Sequence, residues 1–191
     1  LELTAAYATF DNEGYGVWPH GIAEIRDDGG TVLYHREGSG PGRVVQPPQV
    51  AQMIDLMSGV IQSSYGTGRS ARLGRPAAGK TGTGQDFRDA SFVGFTAELV
   101  TGVWVGNDDN SPMKKVTGGG LPALLWHGFM AAALDGEPAR ALPMPSAAEI
   151  AAVIPGVDAP ISEAEATQSD AHSESLEDWL SRVITQRGSR K

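Results

Sequence analysis

The residues best suited to chemistry lie between Gly79 and Gly84, where one lysine and two threonines stand close together. Alternate residues of a strand point to the same face, so Thr81 and Thr83 would share a face, with the charge of Lys80 nearby. A cation with hydroxyl donors suits a substrate that ends in a free carboxylate. A backbone N–H near Thr83 could donate to a developing oxyanion, usually the largest electrostatic contribution in acyl transfer. The pattern therefore predicts an acyl-transfer site.

An antiparallel sheet is predicted to position these residues. Residues 77–84, 90–96 and 100–105 have the small, aromatic or β-branched composition of strands, and residues 97–99 form a tight connection. Gly82, beside Lys80, would allow another backbone or a ligand to approach closely. The chemistry would then lie on a strand of this sheet.

The same stretch also fits a phosphate-binding P-loop. Residues 74–81 match the pattern G-x-x-x-x-G-K-[ST]. A P-loop needs a buried parallel strand before it and a helix after it. Residues 67–73 contain no run of β-branched apolar residues, and Gly82 and Gly84 would each destabilise a following helix by about 1 kcal/mol relative to Ala. A P-loop NTPase is the alternative enzyme class.

Six collinear segments lie between Leu1 and Leu134: Leu3–Phe10, Gly66–Gly68, Arg75–Thr83, Asp89–Phe95, Gly102–Asp109 and Thr117–Pro122. With the K-T-G element at Lys80–Gly82, they resemble the C-terminal half of the transpeptidase domain of class A (bifunctional) penicillin-binding proteins. The resemblance implies an α+β fold, with an antiparallel sheet flanked by helices as in penicillin-binding proteins and serine β-lactamases. Only the C-terminal portion of that fold would be present.

The resemblance also implies peptidoglycan D,D-transpeptidation. In that family a serine attacks the D-Ala-D-Ala end of a stem peptide, the acyl group passes to an amine on a neighbouring strand, and β-lactams trap the serine. By this resemblance Lys80 assists proton traffic and binds the substrate carboxylate together with Thr81, Gly82 and Thr83. The Thr83 amide forms half of the oxyanion hole. The implied partners are stem peptides, lipid-linked glycan strands and β-lactams, and no cofactor is implied.

The nucleophile of that family is not found where the resemblance requires it. S-x-x-K and S-x-N should precede Lys80, and neither occurs in residues 1–79. One S-x-x-K, Ser111 to Lys114, follows instead in a turn-rich loop, where no helix would place its lysine beside its serine. We therefore expect the chain alone to be inactive, with its serine in a preceding region. A non-catalytic remnant that binds peptidoglycan or a protein partner is a further alternative.

Composition limits the remaining classes. The 191 residues carry a net charge of −8, which argues against a nucleic-acid partner. They contain no cysteine and no apolar run of 18 or more residues, so we expect neither a disulfide nor a membrane span here. The four histidines share no metal-ligand spacing. By the resemblance, the whole protein would be periplasmic and held at the membrane through its preceding part.

Helices and a hairpin are predicted around the sheet. The helices cover residues 1–10, 49–63 and 121–134, and the hairpin strands cover residues 17–26 and 31–36. In the last helix, four side chains would back the sheet: Leu124, Leu125, Phe129 and Leu134. Trp104, on a central strand, is expected in the core.

Two regions are predicted from the change in composition after residue 145. Residues 1–145 would form the globular part. Residues 146–191 contain eight acidic and four basic residues among many Ala, Ser and Pro, which is typical of a disordered tail. Residues 176–183 would suit a short amphipathic helix within that tail.

Overall fold

The computed structural model describes residues 1–38 and 40–153, which form helices around an antiparallel sheet. The elements are α1 (Glu2–Asp11), β1 (Glu24–Arg26), β2 (Val32–His35), α2 (Pro47–Gln62), β3 (Ala78–Thr83), β4 (Asp89–Phe95), β5 (Val100–Gly106), α3 (Leu121–Ala133) and α4 (Ala147–Val153). The predicted α+β class is confirmed. The helix and strand boundaries differ from the sequence-based ones by a few residues, except that the first hairpin strand, β1, is much shorter than predicted.

The main sheet has the strand order β3-β4-β5, and both pairs are antiparallel. Lys80 lies opposite Val93, and Thr81 lies opposite Phe92. Strand β3 is therefore an edge of the described sheet, with one side of its backbone free. This is the sheet predicted around Lys80.

The P-loop interpretation is wrong. Lys80 and Thr81 lie inside strand β3, whereas the corresponding residues of a P-loop begin a helix. After β3 comes only a single 3₁₀ turn (Gln85–Phe87), with a non-helical φ at Asp86, which leads into the antiparallel strand β4. The phosphate-binding geometry of amides at a helix N-terminus is absent at this position.

Two hydrophobic clusters cover the two faces of the sheet. Phe92 and Phe95 are three residues apart on β4, so they point to opposite faces, and both are fully buried. Phe92 packs edge-to-face against Trp126 of α3, with ring centroids 5.2 Å apart. Phe95 belongs to the cluster formed with α2, which includes Ile54. Helix α3 thus covers one face, and α1 and α2 cover the other.

The predicted buried face of α3 is largely wrong. Leu134 is buried, but Leu124, Leu125 and Phe129 are 56%, 48% and 54% exposed. The residues of α3 that are buried are Pro122, Ala123, Trp126 and Met130. Because α3 is apolar nearly all around, the spacing of its apolar residues does not determine which side contacts the sheet.

Trp104 is also not in the core, contrary to expectation. It lies on β5 with 62% of its surface exposed, and its indole Nε1 donates to Asp89 Oδ2 at 3.3 Å. Its ring covers Gly106, where an added β-carbon would lie 2.7 Å from two ring atoms. Trp104 lies on the face of the sheet that α1 and α2 cover, not on the face that contacts Trp126, and these helices leave most of its side chain exposed.

The hairpin and the start of the predicted tail lie outside the main sheet. β1 and β2 pair as predicted and form a ribbon whose residues are exposed throughout. Residues 147–153, predicted as disordered, form helix α4, which lies against α2. The rest of the predicted tail, including the amphipathic segment 176–183, lies outside the described residues. The boundary at residue 145 stays a prediction.

Candidate active site

The free edge of β3 carries the predicted site. The amide of Gly84 donates to the carbonyl of Asp89 at 2.9 Å, so the backbone of Gly84 faces β4. Backbone direction alternates along an antiparallel strand. The N–H and C=O groups of Thr81 and Thr83 therefore face away from β4, towards the open edge. This orientation is the one required for the Thr83 amide to donate to an oxyanion.

The side chain of Lys80 also reaches the open edge of β3. Its pairing with Val93 places it on the sheet face opposite Thr81 and Thr83, and the side chain is exposed. Its Nζ atom donates to the carbonyl oxygen of Thr81 at 2.8 Å. The ammonium group thus returns to the edge of β3, beside the threonines. A cation and two hydroxyl-bearing residues meet at one strand edge, as the sequence predicted.

Thr81 makes a side-chain contact with the loop that precedes β3. Its Oγ1 lies 2.9 Å from Oγ1 of Thr67, and either hydroxyl can be the donor. Thr67 follows Gly66, at the end of the turn that leaves helix α2. The hydrogen bond joins residues that are 14 positions apart. It restricts the rotation of the Thr81 hydroxyl.

Thr83 is held by a different loop. The amide of Gly118 donates to Thr83 Oγ1 at 3.0 Å, over a separation of 35 residues. Gly118 is buried, whereas the Thr83 side chain is exposed. The hydroxyl oxygen of Thr83 thus accepts a hydrogen bond from the protein and keeps its proton for a ligand.

Glycine permits these contacts at two neighbouring positions of the same loop. A β-carbon on Gly118 would lie 2.4 Å from the carbonyl oxygens of both Gly82 and Ser91. A β-carbon on Gly119 would lie 2.0 Å from the carbonyl oxygen of Thr67. The loop is therefore seated directly on the backbone of β3 and β4. The close approach predicted at Gly82 is made by this loop.

Gly84 is required by the carboxylate that follows. A β-carbon there would lie 1.7 Å from Asp89 Oδ1. The other oxygen of Asp89 accepts from Trp104, so this carboxylate cannot move freely. Asp86 and Phe87, between the two strands, have φ angles of 56° and 57°. Such values are uncommon for residues other than glycine and mark a strained turn at this end of the site.

Ser111 is not placed as a nucleophile. Residues 107–118 contain no helix, so Lys114 does not lie one helical turn from Ser111. Nδ2 of Asn107 donates to the Ser111 hydroxyl oxygen at 3.1 Å, and the Ser111 amide donates to Asp109 Oδ1 at 2.9 Å. The segment is a turn stabilised by its own side chains, as the cluster of Asn and Asp predicted.

The sequence did not single out Thr67 and Gly118 as functional. Both lie in segments that carry the family resemblance, 66–68 and 117–122, and both segments are rich in glycine. Glycine at several close positions signals that another backbone approaches. The glycine pattern does not reveal which segments of the chain come into contact.

Comparison with known proteins decides the family. The sequence pattern described as the penicillin binding protein transpeptidase domain matches residues 1–112, more than half of the chain. The chain belongs to this family. The matched part of the transpeptidase domain includes the whole of β3, with Lys80 and both threonines.

Individual proteins of the transpeptidase family agree with this assignment. Penicillin-binding protein 1A of Aquifex aeolicus is 42% identical over 134 residues, which are 68% of this chain and 18% of that protein. Penicillin-binding protein 1A of Neisseria lactamica is 35% identical over 151 residues, which are 76% of this chain and 19% of that protein. The chain thus spans about a fifth of the length of these relatives.

Solved structures give the same fold. The penicillin-binding protein PonA1 from Mycobacterium tuberculosis superposes with a TM-score of 0.65 and 30% identity, over 76% of this chain and 41% of that one. Penicillin-binding protein 1A from Haemophilus influenzae gives a TM-score of 0.63 and 25% identity, over 76% and 28% of the respective chains. Among residues 1–38 and 40–153, no helix has the length and apolar character needed to cross a bilayer.

Proposed function

We propose that this chain forms the part of a peptidoglycan D,D-transpeptidase that binds the substrate carboxylate and the oxyanion. One observation carries the proposal. The free edge of β3 brings together an ammonium group, two threonine hydroxyls and an outward-facing amide at Thr83. A peptide that ends in D-Ala-D-Ala has a terminal carboxylate and, one residue earlier, the carbonyl that is attacked. The edge supplies donors for both.

The residues have separate roles in this proposal. Lys80 and the hydroxyls of Thr81 and Thr83 bind the terminal carboxylate, while Gly82 leaves room along the strand. The amide of Thr83 donates to the carbonyl oxygen as it becomes negatively charged, which lowers the barrier to acyl transfer. The ammonium of Lys80 also takes part in proton transfer at the serine. That serine and its S-x-x-K lysine belong to a region before Leu1.

The remaining parts of the proposal follow from the family. The whole protein cross-links stem peptides on lipid-linked glycan strands, is trapped by β-lactams, and carries a glycosyltransferase domain. It works at the outer face of the bacterial cytoplasmic membrane, to which a preceding segment attaches it. Among the described residues, the edge of β3 is the only part that this proposal uses for chemistry.

Binding can be tested in this chain without the nucleophile. Amide chemical shifts of the isotope-labelled chain are followed by NMR during titration with diacetyl-Lys-D-Ala-D-Ala, and with the L-Ala-L-Ala peptide as control. We expect shifts confined to β3 and its neighbouring loops for the D,D-peptide, and weaker shifts for the L,L-peptide. Lys80→Met and Thr83→Val should each weaken the interaction. Equal response to both peptides, or none at β3, would refute the proposal.

The position of the nucleophile is tested by intact mass after incubation with a reactive penicillin. We expect no adduct on the 191-residue chain, because Ser111 lies in a turn without a helical lysine beside it. A stoichiometric adduct that disappears in Ser111→Ala would instead assign the nucleophile to Ser111. The same reaction on a longer protein that includes an upstream S-x-x-K should give one adduct on that serine.

A further inference from the structure

Two threonine hydroxyls of β3 are restrained by groups from outside the sheet. The hydroxyls of Thr67 and Thr81 form a hydrogen bond, and the amide of Gly118 donates to the hydroxyl oxygen of Thr83. We propose that Thr67 and Gly118 are positioning groups that set both β3 hydroxyls as donors towards a bound carboxylate. Thr67, Thr81, Thr83, Gly118 and Gly119 are called the hydroxyl clamp below. This inference rests on the proposed function of the β3 edge.

The donor and acceptor capacity of a hydroxyl carries the argument for Thr83. A threonine hydroxyl has one proton to donate and two lone pairs to accept. The Gly118 amide can only donate, so it occupies a lone pair of Thr83 Oγ1 and leaves the proton unused. The Thr83 side chain is exposed, so this proton is available at the strand edge. A carboxylate can only accept hydrogen bonds and is the matching ligand.

The pair formed by Thr67 and Thr81 supplies one further donor. Two hydroxyls joined by one hydrogen bond contain two protons, of which the bond uses one. When Thr67 donates to Thr81, the proton of Thr81 is free for the ligand. A carboxylate at the edge of β3 favours this direction, because the opposite direction would turn a lone pair of Thr81 towards a negative charge.

One loop contacts both hydrogen-bonded pairs of the clamp, Thr67 with Thr81 and Gly118 with Thr83. Gly118 lies against the backbone of Gly82, and Gly119 lies against the carbonyl of Thr67. The same two glycines therefore fix the distance between the Thr67 loop and β3. A side chain at position 119 would collide with the carbonyl oxygen of Thr67, so either Thr67 or the loop of Gly119 would have to move. The clamp thus depends on a loop that follows β5, although its three hydroxyls lie on β3 (Thr81 and Thr83) or before it (Thr67).

The clamp is tested with a conservative pair of variants. Thr67→Val removes the hydroxyl and keeps the shape, while Thr67→Ser keeps a hydroxyl. Thr31→Val, in the exposed hairpin, is the matched control because the Thr31 side chain has no hydrogen bond among the described residues. Each chain is titrated with diacetyl-Lys-D-Ala-D-Ala and with its C-terminal carboxamide, and the dissociation constants are obtained from amide shifts.

We expect Thr67→Val to weaken binding of the acid peptide about three- to tenfold, the usual effect of one hydrogen bond. Thr67→Ser should stay within about twofold of wild type, since it restores that bond. Binding of the carboxamide peptide should change little, because its terminus has no carboxylate. Equal weakening for the acid and the carboxamide would overturn the inference and indicate a structural role. No effect of Thr67→Val would also overturn it.

A second measurement tests the clamp without any ligand. Three-bond couplings of the Thr81 methyl carbon report the χ1 rotamer of Thr81 in the free chain. We expect one rotamer in wild type and Thr67→Ser, and rotamer averaging in Thr67→Val. Averaging already in wild type would refute the clamp. If the rotamers behave as expected but wild type does not bind the D,D-peptide, the proposed function fails and the positioning of Thr81 stands.

Discussion

Gly118 approaches Gly82 so closely that a β-carbon on Gly118 would lie 2.4 Å from the Gly82 carbonyl oxygen. This contact seats the loop of residues 117–120 on the edge strand β3. It also brings the Gly118 amide within 3.0 Å of Thr83 Oγ1. The geometry of the proposed carboxylate site therefore depends on glycine at position 118, where a side chain would not fit.

The first prediction concerns that position. Gly118→Ala should lower the free energy of unfolding by about 1–3 kcal/mol, because the methyl group would meet two carbonyl oxygens of paired strands. Gly128→Ala, in helix α3, is the control. Nothing lies within 4 Å of its β-carbon, so it should raise stability by up to about 1 kcal/mol through helix propensity. Urea unfolding measures both, and a neutral Gly118→Ala would contradict the close contact.

The second prediction concerns Arg75, which holds the C-terminal end of α3. Its Nη2 donates to the carbonyls of Leu134 and Glu137 at 3.2 and 2.8 Å, and the side chain is mostly buried. Arg75→Lys should lower the free energy of unfolding by about 1–3 kcal/mol, since a lysine cannot replace the planar guanidinium donors. The measurement is urea unfolding at neutral pH.

Arg140→Lys is the control for Arg75. Arg75 and Arg140 both pair with Glu98, at 3.8 and 2.9 Å, but the Arg140 side chain is 64% exposed. Exposed ion pairs contribute at most about 1 kcal/mol, so this variant should be close to wild type. An Arg140→Lys variant as unstable as Arg75→Lys would mean that the shared partner Glu98, and not the carbonyls of Leu134 and Glu137, determines the effect.

The third prediction is a pH dependence from Asp11. Burial, with the negative charge of Glu98 as a smaller cause, raises the pKa of Asp11 from its usual 3.8 to about 6. The folded state then binds the proton more tightly than the unfolded state. The stability that Asp11 contributes is therefore complete below about pH 4 and is lost as the pH rises to about 6.

Asp11→Asn should remove this dependence, because an amide does not ionise. Its stability relative to wild type should increase between about pH 4 and pH 6 and then level off. Urea unfolding at several pH values gives the two curves. Parallel curves over that range would show that Asp11 titrates at its usual value.

The fourth prediction concerns the exposed apolar side of α3. Leu124 and Phe129 are more than half exposed, and Leu121 and Leu125 lie beside them on the helix. Contiguous exposed apolar surface promotes self-association. The double variant Leu124→Lys, Phe129→Lys should reduce self-association of the chain while its thermal midpoint stays close to that of wild type. Light scattering and thermal unfolding measure the two properties.

Leu56→Lys serves as the control, since Leu56 is an exposed apolar residue on α2, away from α3. It should affect self-association less than the double variant. A large loss of thermal stability in the double variant would mean that Leu124 and Phe129 belong to the core, as the spacing of apolar residues in α3 first predicted.

Local pattern was sufficient to predict most elements and to place Lys80, Thr81 and Thr83 on one strand. The strands around Lys80 follow from their composition and from the short turn between Phe95 and Val100. Burial was harder to predict where a segment is apolar on several sides. Helix α3 has a single histidine among apolar residues, and Trp104 lies between Val103 and Val105 on β5, so only packing decides which side of each element is buried.

The sequence by itself determined the family, the α+β class and the position of Lys80, Thr81 and Thr83 on one strand, because strand periodicity and motif spacing are local properties. Only the tertiary structure decided which groups restrain the two hydroxyls. Thr67 and Gly118 lie 14 and 35 residues from their partners. Contacts over such separations depend on how loops pack on the sheet, and no local pattern encodes them.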